Sequence, residues 1–82
     1  MAVYVVDEDR CVIGRFTPAG DGYKFIELTI AGTPRTSVGK TLRDALPDWA
    51  KDVSFLEATD LLHAHDLLRS GNKDLFIPMP EA

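Results

Sequence analysis

The sequence is poor in the cysteines that small secreted proteins use to hold a fold together. It contains one cysteine, Cys11, among 82 residues, so no disulfide can form within the chain. Secreted domains of this length normally carry several disulfides because their hydrophobic cores are small. The shortage favours a reducing compartment, and we predict a cytoplasmic protein.

Long hydrophobic runs are also missing. The first apolar stretch, Ala2 to Val6, follows no basic residue and ends at Asp7. A signal peptide needs a basic start, and a membrane-spanning helix needs roughly 18 apolar residues in a row. We therefore expect neither a leader nor a membrane span. The length predicts one small domain over residues 1–82.

Positive charge is scarce overall and unevenly placed. Nine Lys and Arg stand against thirteen Asp and Glu, for a formal net charge of −4. Affinity for nucleic acids and anionic lipids comes from Lys and Arg near phosphates, so this balance argues against direct binding to either. Residues 10–43 nevertheless carry six basic residues and two acids, whereas both ends of the chain are acidic.

Few residues are suited to catalysis or to metal binding. His63 and His65 are the only histidines, and on a helix this spacing points them about 200° apart, so they cannot share a metal ion. Gly39-Lys40-Thr41 lacks the glycine that a phosphate-binding loop needs five positions earlier, because Pro34 stands there. A hydrolase built on Cys11 and a histidine is the remaining enzymatic alternative. We predict a non-enzymatic protein with no metal or cofactor.

The first half of the sequence predicts short strands separated by turns. Apolar and β-branched runs cover Ala2–Val6, Cys11–Phe16, Tyr23–Ile30 and Arg35–Val38, with Gly, Pro and Asp between most of them. Connections this short favour antiparallel neighbours, hence a meander. Because Pro34 precedes the fourth strand, we expect that strand at a sheet edge.

The second half predicts two helices. Thr41 begins the first with a capping pattern, and Pro47 interrupts it. We expect either a kinked helix or two short turns, the second of which begins at Pro47. Ser54 and Glu57 form the pattern of a capping box, and residues 55–70 contain neither Gly nor Pro. These residues therefore predict the second helix.

The last apolar residues, Leu75–Met79, predict a short final strand that Pro78 ends or confines to an edge. The fold class is α+β. We expect an antiparallel sheet of four to five strands, with the meander first, then the two helices and the final strand, and both helices packed on one face.

Acidic side chains recur along the predicted helices. Asp44, Asp48 and Asp52 are spaced by four, so they would form a column if the first helix continues through Pro47. The same acids also fit a solvated face that keeps an acidic protein soluble. Leu56 and Leu67 fall on the far side of the second helix, where either another segment covers them or they belong to an interface. The predicted partner-binding residues are Asp44, Asp48, Asp52, Leu56, Glu57, Asp60 and Leu67.

These features predict an acidic protein-binding module without enzymatic activity, of the inhibitor, antitoxin or immunity type. Its expected partner is a basic protein or nucleoprotein complex that handles nucleic acid, whose basic surface it would block by imitating the charge of a phosphate backbone. A homodimer is left open.

The alternative is a direct binder of nucleic acid or of a small anion. It would use the basic residues of the segment 10–43, with Tyr23 and Phe25 as stacking surfaces. Arg35, Lys40 and Arg43 would be its anion-binding residues, near the start of the first helix.

Overall fold

A computed structural model describes residues 2–78 of the chain. The strands are β1 (Ala2–Val6), β2 (Val12–Ala19), β3 (Gly22–Glu27), β4 (Thr36–Gly39) and β5 (Ser54–Ala58). The helices are α1 (Leu42–Ala45) and α2 (Leu61–Arg69), and a 3-10 turn follows at Lys73–Leu75. The strands form one antiparallel sheet in the order β4-β3-β2-β1-β5. The predicted α+β class and the antiparallel sheet are confirmed.

The first four strands form the predicted meander. Val3 lies opposite Phe16, Phe16 lies opposite Phe25, and Phe25 lies opposite Ser37. Residues in register on neighbouring strands point to the same side of a sheet, so these four side chains form one row across it. β4 stands at the edge of the sheet, as Pro34 predicted.

Residues 54–58, predicted as the start of the second helix, form strand β5 instead. This strand pairs with β1, with Phe55 opposite Val5 and Leu56 opposite Tyr4. Phe55 and Leu56 are adjacent and both buried, at 7% and 1% exposed. Because successive side chains of a strand point to opposite faces, a strand covered on both sides buries both residues. The pairing with β1 thus overrides the local capping pattern.

Both helices are shorter than the sequence predicts. In α1, the Thr41 hydroxyl accepts the backbone N–H of Asp44 at 3.1 Å, which confirms the predicted cap. The helix ends at Ala45, and a separate turn follows in which the N–H of Ala50 donates to the carbonyl of Pro47 at 3.0 Å. Of the two predicted outcomes, two short turns are therefore found and a kinked helix is not, because a proline disfavours helical geometry in the residue before it. Leu46 accordingly has an extended ψ of 122°. The cap of α2 is Asp60, whose carboxylate accepts the backbone N–H of His63 at 2.8 Å.

The helices cover opposite faces of the sheet, where the sequence predicted a single face. The α2 core consists of Tyr4, Val6, Leu56, Ala58, Ala64 and Leu68. The α1 core consists of Val5, Phe16, Leu42, Ala45, Phe25 and Phe55. Tyr4 and Val5 are consecutive on β1, so their side chains point to opposite sides. We refer to these sides as the α2 face and the α1 face.

The predicted final strand is reduced to one bridge. The backbone N–H of Ile77 donates to the carbonyl of Phe55 at 2.9 Å, in an isolated antiparallel bridge with β5. Leu75 belongs to the 3-10 turn, and Met79 lies outside the described residues. Ile77 therefore lies beside the outer side of β5. Neither helix in residues 2–78 has the length and apolar character that crossing a bilayer requires.

Candidate functional site

The three aspartates predicted to form a column do not share a helix. Asp44 lies in α1, Asp48 follows that helix, and Asp52 stands in a bend with a φ of 53°. All three are exposed. A column of side chains spaced by four requires a continuous helix, and α1 ends at Ala45. The structure thus corrects the predicted geometry of this acidic row.

The two acids expected to extend the row have separate positions. Glu57 lies on β5 opposite Val3, so its exposed side chain belongs to the α1 face. Asp60 accepts the hydrogen bond that begins α2. Asp60 therefore has a local role in stabilising the helix start.

The two leucines assigned to a partner surface pack inward. Leu56 is 1% exposed and belongs to the α2 core, so it cannot contact a partner in this fold. Leu67 is half-buried and packs against the same core. The segment that covers Leu56 is α2. The sequence predicted instead that Leu56 and the residues of α2 belong to one helix.

Arg35 forms an ion pair with Glu27 and stacks on Trp49. Its Nε and Nη2 atoms donate to Oε2 of Glu27 at 3.1 and 2.6 Å, and its backbone N–H donates to Oε1 at 3.1 Å. Its guanidinium carbon lies 4.0 Å from the ring centroid of Trp49. The side-chain and backbone hydrogen bonds from Arg35 lower the pKa of Glu27 below its ordinary value of 4.5, and the ion pair raises the pKa of Arg35.

The predicted anion site at the first helix is not assembled around a helix end. Arg35 is engaged with Glu27 and Trp49. Lys40 and Arg43 are exposed, but α1 has only four residues and Thr41 already accepts an N–H of its first turn. So short a helix has little dipole to offer an anion.

Of the two stacking surfaces in the nucleic-acid alternative, one is inaccessible. Phe25 is 0% exposed and lies in the α1 core, so no base can stack on it, and this part of the alternative is wrong. Tyr23 is half-buried against the same core.

Cys11 and His65 line the same cavity, which has a volume of about 630 Å³. Its other lining residues are Arg10, Val12, Leu68 and Arg69. In the described part of the chain no hydrogen bond joins Cys11 to His65, and the nearest polar contact of the thiol is the carbonyl of Asp9 at 3.8 Å. Activation of a thiol by a histidine requires such a contact. Among residues 2–78 no group of His, Cys, Asp and Glu side chains is placed to hold a metal ion.

The two edges of the sheet differ. On the β5 side, Ile77 bridges to Phe55 and follows the edge. On the β4 side, no segment of residues 2–78 pairs with the outer side of the strand. We call this outer side, Thr36–Gly39, the open edge.

The hydrogen-bond ladder shows which backbone groups the open edge presents. The N–H of Glu27 donates to the carbonyl of Arg35 at 2.9 Å, at the point where β3 and β4 begin to pair. In an antiparallel ladder, bonded and non-bonded residues alternate along each strand. Ser37 therefore bonds toward β3, whereas the N–H and C=O groups of Thr36 and Val38 point away from it. These two residues are also exposed, Val38 to 69%.

Within residues 2–78, the α2 core does not extend over β3 and β4 on its side of the sheet. The α2 core takes strand residues from β1 and β5, and its members include none from β3 or β4. The register continues this face from Tyr4 to Arg15, Ile26 and Thr36, and places Lys24 opposite Val38. We call this surface the open face; its strand residues are Arg15, Thr17, Lys24, Ile26, Thr36 and Val38. It includes two basic residues and no acid.

Thr36 and Val38 were not singled out from the sequence as candidate site residues. One signal was available, since Pro34 predicted that the strand containing both residues lies at a sheet edge. The sequence did not show whether another segment would cover that edge.

No family model matches this sequence, and neither the curated proteins nor the solved structures include a match to it.

Proposed function

We propose that this chain is a protein-binding module, without enzymatic activity, that takes up a segment of its partner along the open edge of β4. The observation that carries the proposal is the contrast between the two sheet edges. Ile77 bridges to β5, whereas β4 presents the backbone groups of Thr36 and Val38 to solvent. Unpaired strand edges accept an added strand, and several classes of protein-binding domain use this mode.

The residues of β4 offer little protection against such pairing. Proteins usually guard an exposed edge by keeping the strand short or by placing charged residues, prolines or bulges in it. At four residues β4 is short. Thr36-Ser37-Val38-Gly39 contains no charge and no proline, and its register with β3 has no bulge. Val38 adds an exposed apolar side chain to the unpaired backbone. An edge of this kind is suited to docking.

The acidic residues support a narrower version of the function, in which the module blocks a basic surface of a nucleic-acid-handling protein. Its support is the net charge of −4 and the exposure of Asp44, Asp48 and Asp52. These three aspartates do not form a continuous helical row. We favour the open edge as the docking surface because its outward backbone groups belong to one strand, whereas the aspartates lie in separate segments.

A second candidate function is direct binding of a nucleic acid or another polyanion on the open face. The observation that favours it is the pair Arg15 and Lys24 on a surface whose strand residues include no acid. The strand residues of the open face include no aromatic ring, so binding there would depend on charge and would weaken steeply with salt. A gel shift with single-stranded and duplex probes at several salt concentrations tests it.

The proposed function is tested by affinity capture with the immobilised chain. An extract of the native host is treated with nuclease, so that only direct protein partners remain, and retained proteins are quantified by mass spectrometry. We expect partners that the wild type retains and that Val38→Pro loses. Val38 points its N–H outward, so proline at this position removes a docking group without breaking the ladder to β3.

The matched control is Val38→Thr, which keeps the N–H and the strand propensity and should retain the same partners. If V38P retains the same partners as the wild type, the docking surface does not lie at β4. A nucleic-acid gel shift together with no retained protein contradicts the proposed function as a whole.

A further inference from the structure

We infer that the segment accepted at the open edge is acidic: an extended strand in which carboxylate side chains alternate with short or β-branched ones. The inference rests on the proposed function and deepens it by naming the chemistry of the partner. It follows from the distribution of charge around β4, considered together with the direction of its free backbone groups.

Basic residues lie beside β4 on its open-face side, in a chain whose net charge is −4. Lys24 lies opposite Val38 on β3, Lys40 directly follows the strand, and the strand residues of the open face include no acid. Of the acids close to β4, Glu27 is ion-paired with Arg35, and Asp44 lies against Gly39 on the α1 face. An acidic segment is therefore attracted to this edge and repelled by both ends of the chain, which orients its approach.

The pairing geometry places basic side chains within reach of the added strand. Lys40 is exposed and directly follows β4. Lys24 lies opposite Val38 on β3, so its side chain shares the open face with those of Thr36 and Val38. An added strand lies about 4.8 Å beyond β4. On this face, Thr36 and Val38 lie between Lys24 and the side chains of the added strand. A glutamate at such a position is within reach of the Lys24 ammonium group.

A second copy of the chain is a poorer occupant of the same edge. Antiparallel pairing of two β4 strands about Ser37 would set Thr36 of one copy opposite Val38 of the other, so the open faces of both copies would form one surface. The strand residues of each open face include Arg15 and Lys24 and no acid. Such pairing brings surfaces of like charge together, whereas an acidic segment meets opposite charge.

The inference is tested with two fluorescein-labelled peptides, one of alternating Glu and Val and the other of alternating Lys and Val. Fluorescence anisotropy gives the Kd of each for the full chain. We expect the Glu/Val peptide to bind at least about tenfold more tightly than the Lys/Val peptide, a difference of about 1.4 kcal/mol. The preference should shrink as salt rises, because exposed charges are screened.

Charge variants and backbone variants separate the two parts of the inference. Lys40→Glu should weaken binding of the Glu/Val peptide about threefold, the effect of one exposed charge. Lys51→Glu makes the same change in net charge at an exposed residue that does not flank β4, and should leave the Kd unchanged. V38P should lose binding, and V38T should keep it.

Amide hydrogen exchange followed by NMR locates the contact without any variant. The N–H groups of Thr36 and Val38 should exchange quickly in the free chain and become protected when the Glu/Val peptide is added. Equal binding of both peptides, no binding of either, or protection confined to other strands would overturn the inference. Self-association that V38P abolishes would identify a second copy as the occupant and would overturn it as well. The capture experiment described above tests the proposed function separately from this inference.

Discussion

Arg35 lies over the indole of Trp49, with its guanidinium carbon 4.0 Å from the ring centroid, while the same guanidinium donates to Glu27. Trp49 in turn meets Phe25 edge-on, with ring centroids 5.7 Å apart. These contacts connect the segment after α1 to the end of β3 and to the residue before β4. The residue that precedes the open edge is thereby anchored to the α1 core.

Replacing Arg35 should expose the indole. The variant Arg35→Ala removes both the stacked guanidinium and the ion pair, so we expect a red-shifted emission from Trp49 and a lower Tm. Trp49 is the only tryptophan and is 40% exposed in the native chain, so the spectrum reports on this site alone. Arg15→Ala is the control, since Arg15 is exposed on the opposite face; an emission shift of the same size in R15A contradicts the assignment.

The Glu27 ion pair should make stability depend on pH in the acid range. Arg35 lowers the pKa of Glu27 in the folded chain below the ordinary value of 4.5, so the unfolded chain binds a proton more readily. The contribution of the pair is therefore complete above pH 4.5 and is lost as the pH falls through the lowered pKa.

Thermal melts across this range compare the wild type with Glu27→Gln. We expect the difference in Tm to be largest near neutral pH and to shrink as the pH falls below 4.5. Asp48→Asn, at an exposed carboxyl with no hydrogen bond among the described residues, should follow the wild type throughout. A constant difference between E27Q and wild type at every pH would show that the pair does not act through the charge of Glu27.

Two leucines distinguish β5 from the helix that the sequence predicts there. Leu56 is 1% exposed and Leu62 is 69% exposed. Leu56→Ala should lower the free energy of unfolding by about 2–5 kcal/mol, because it leaves a cavity in the α2 core. Leu62→Ala should change it by no more than about 0.5 kcal/mol. Urea unfolding measures both, and similar losses in the two variants would be incompatible with this placement of residues 54–58.

The start of α2 is tested by its cap. Asp60→Ala removes the acceptor for the N–H of His63 and should cost about 1 kcal/mol, whereas Asp60→Asn preserves a capping side chain and should cost less. Ser54→Ala, at the residue that the sequence suggests as the cap, should change stability by no more than about 0.5 kcal/mol. Urea unfolding and helical circular dichroism provide the measurement; a larger loss in S54A than in D60A would place the helix start at Ser54.

Local patterns were sufficient where an element depends on its own residues. The β-branched run Ala2–Val6 is a strand with the predicted bounds. Pro34 correctly indicated that the fourth strand lies at an edge, because a proline cannot donate to a neighbouring strand. The Thr41 cap formed as predicted, since it needs only a hydroxyl and an N–H three residues later.

Elements that depend on distant partners were not predicted. Ser54 and Glu57 have the spacing of a capping box. However, β1 pairs with β2 on one side only, and residues 54–58 pair with the backbone groups on its other side. The predicted acidic row was wrong for the same reason as the helix assignments, since Asp44 lies in α1, Asp48 in the turn after it and Asp52 in a separate bend.

The sequence by itself determined the α+β class, the meander and the basic character of the chain around β4, because periodicity, turns and charge are local properties. Only the tertiary structure decided that β5 enters the sheet, that the helices lie on opposite faces, and that Ile77 lies along one edge while Thr36 and Val38 remain open. Those outcomes depend on pairing and burial between residues far apart in the chain, whose energies exceed the local preferences of any single segment.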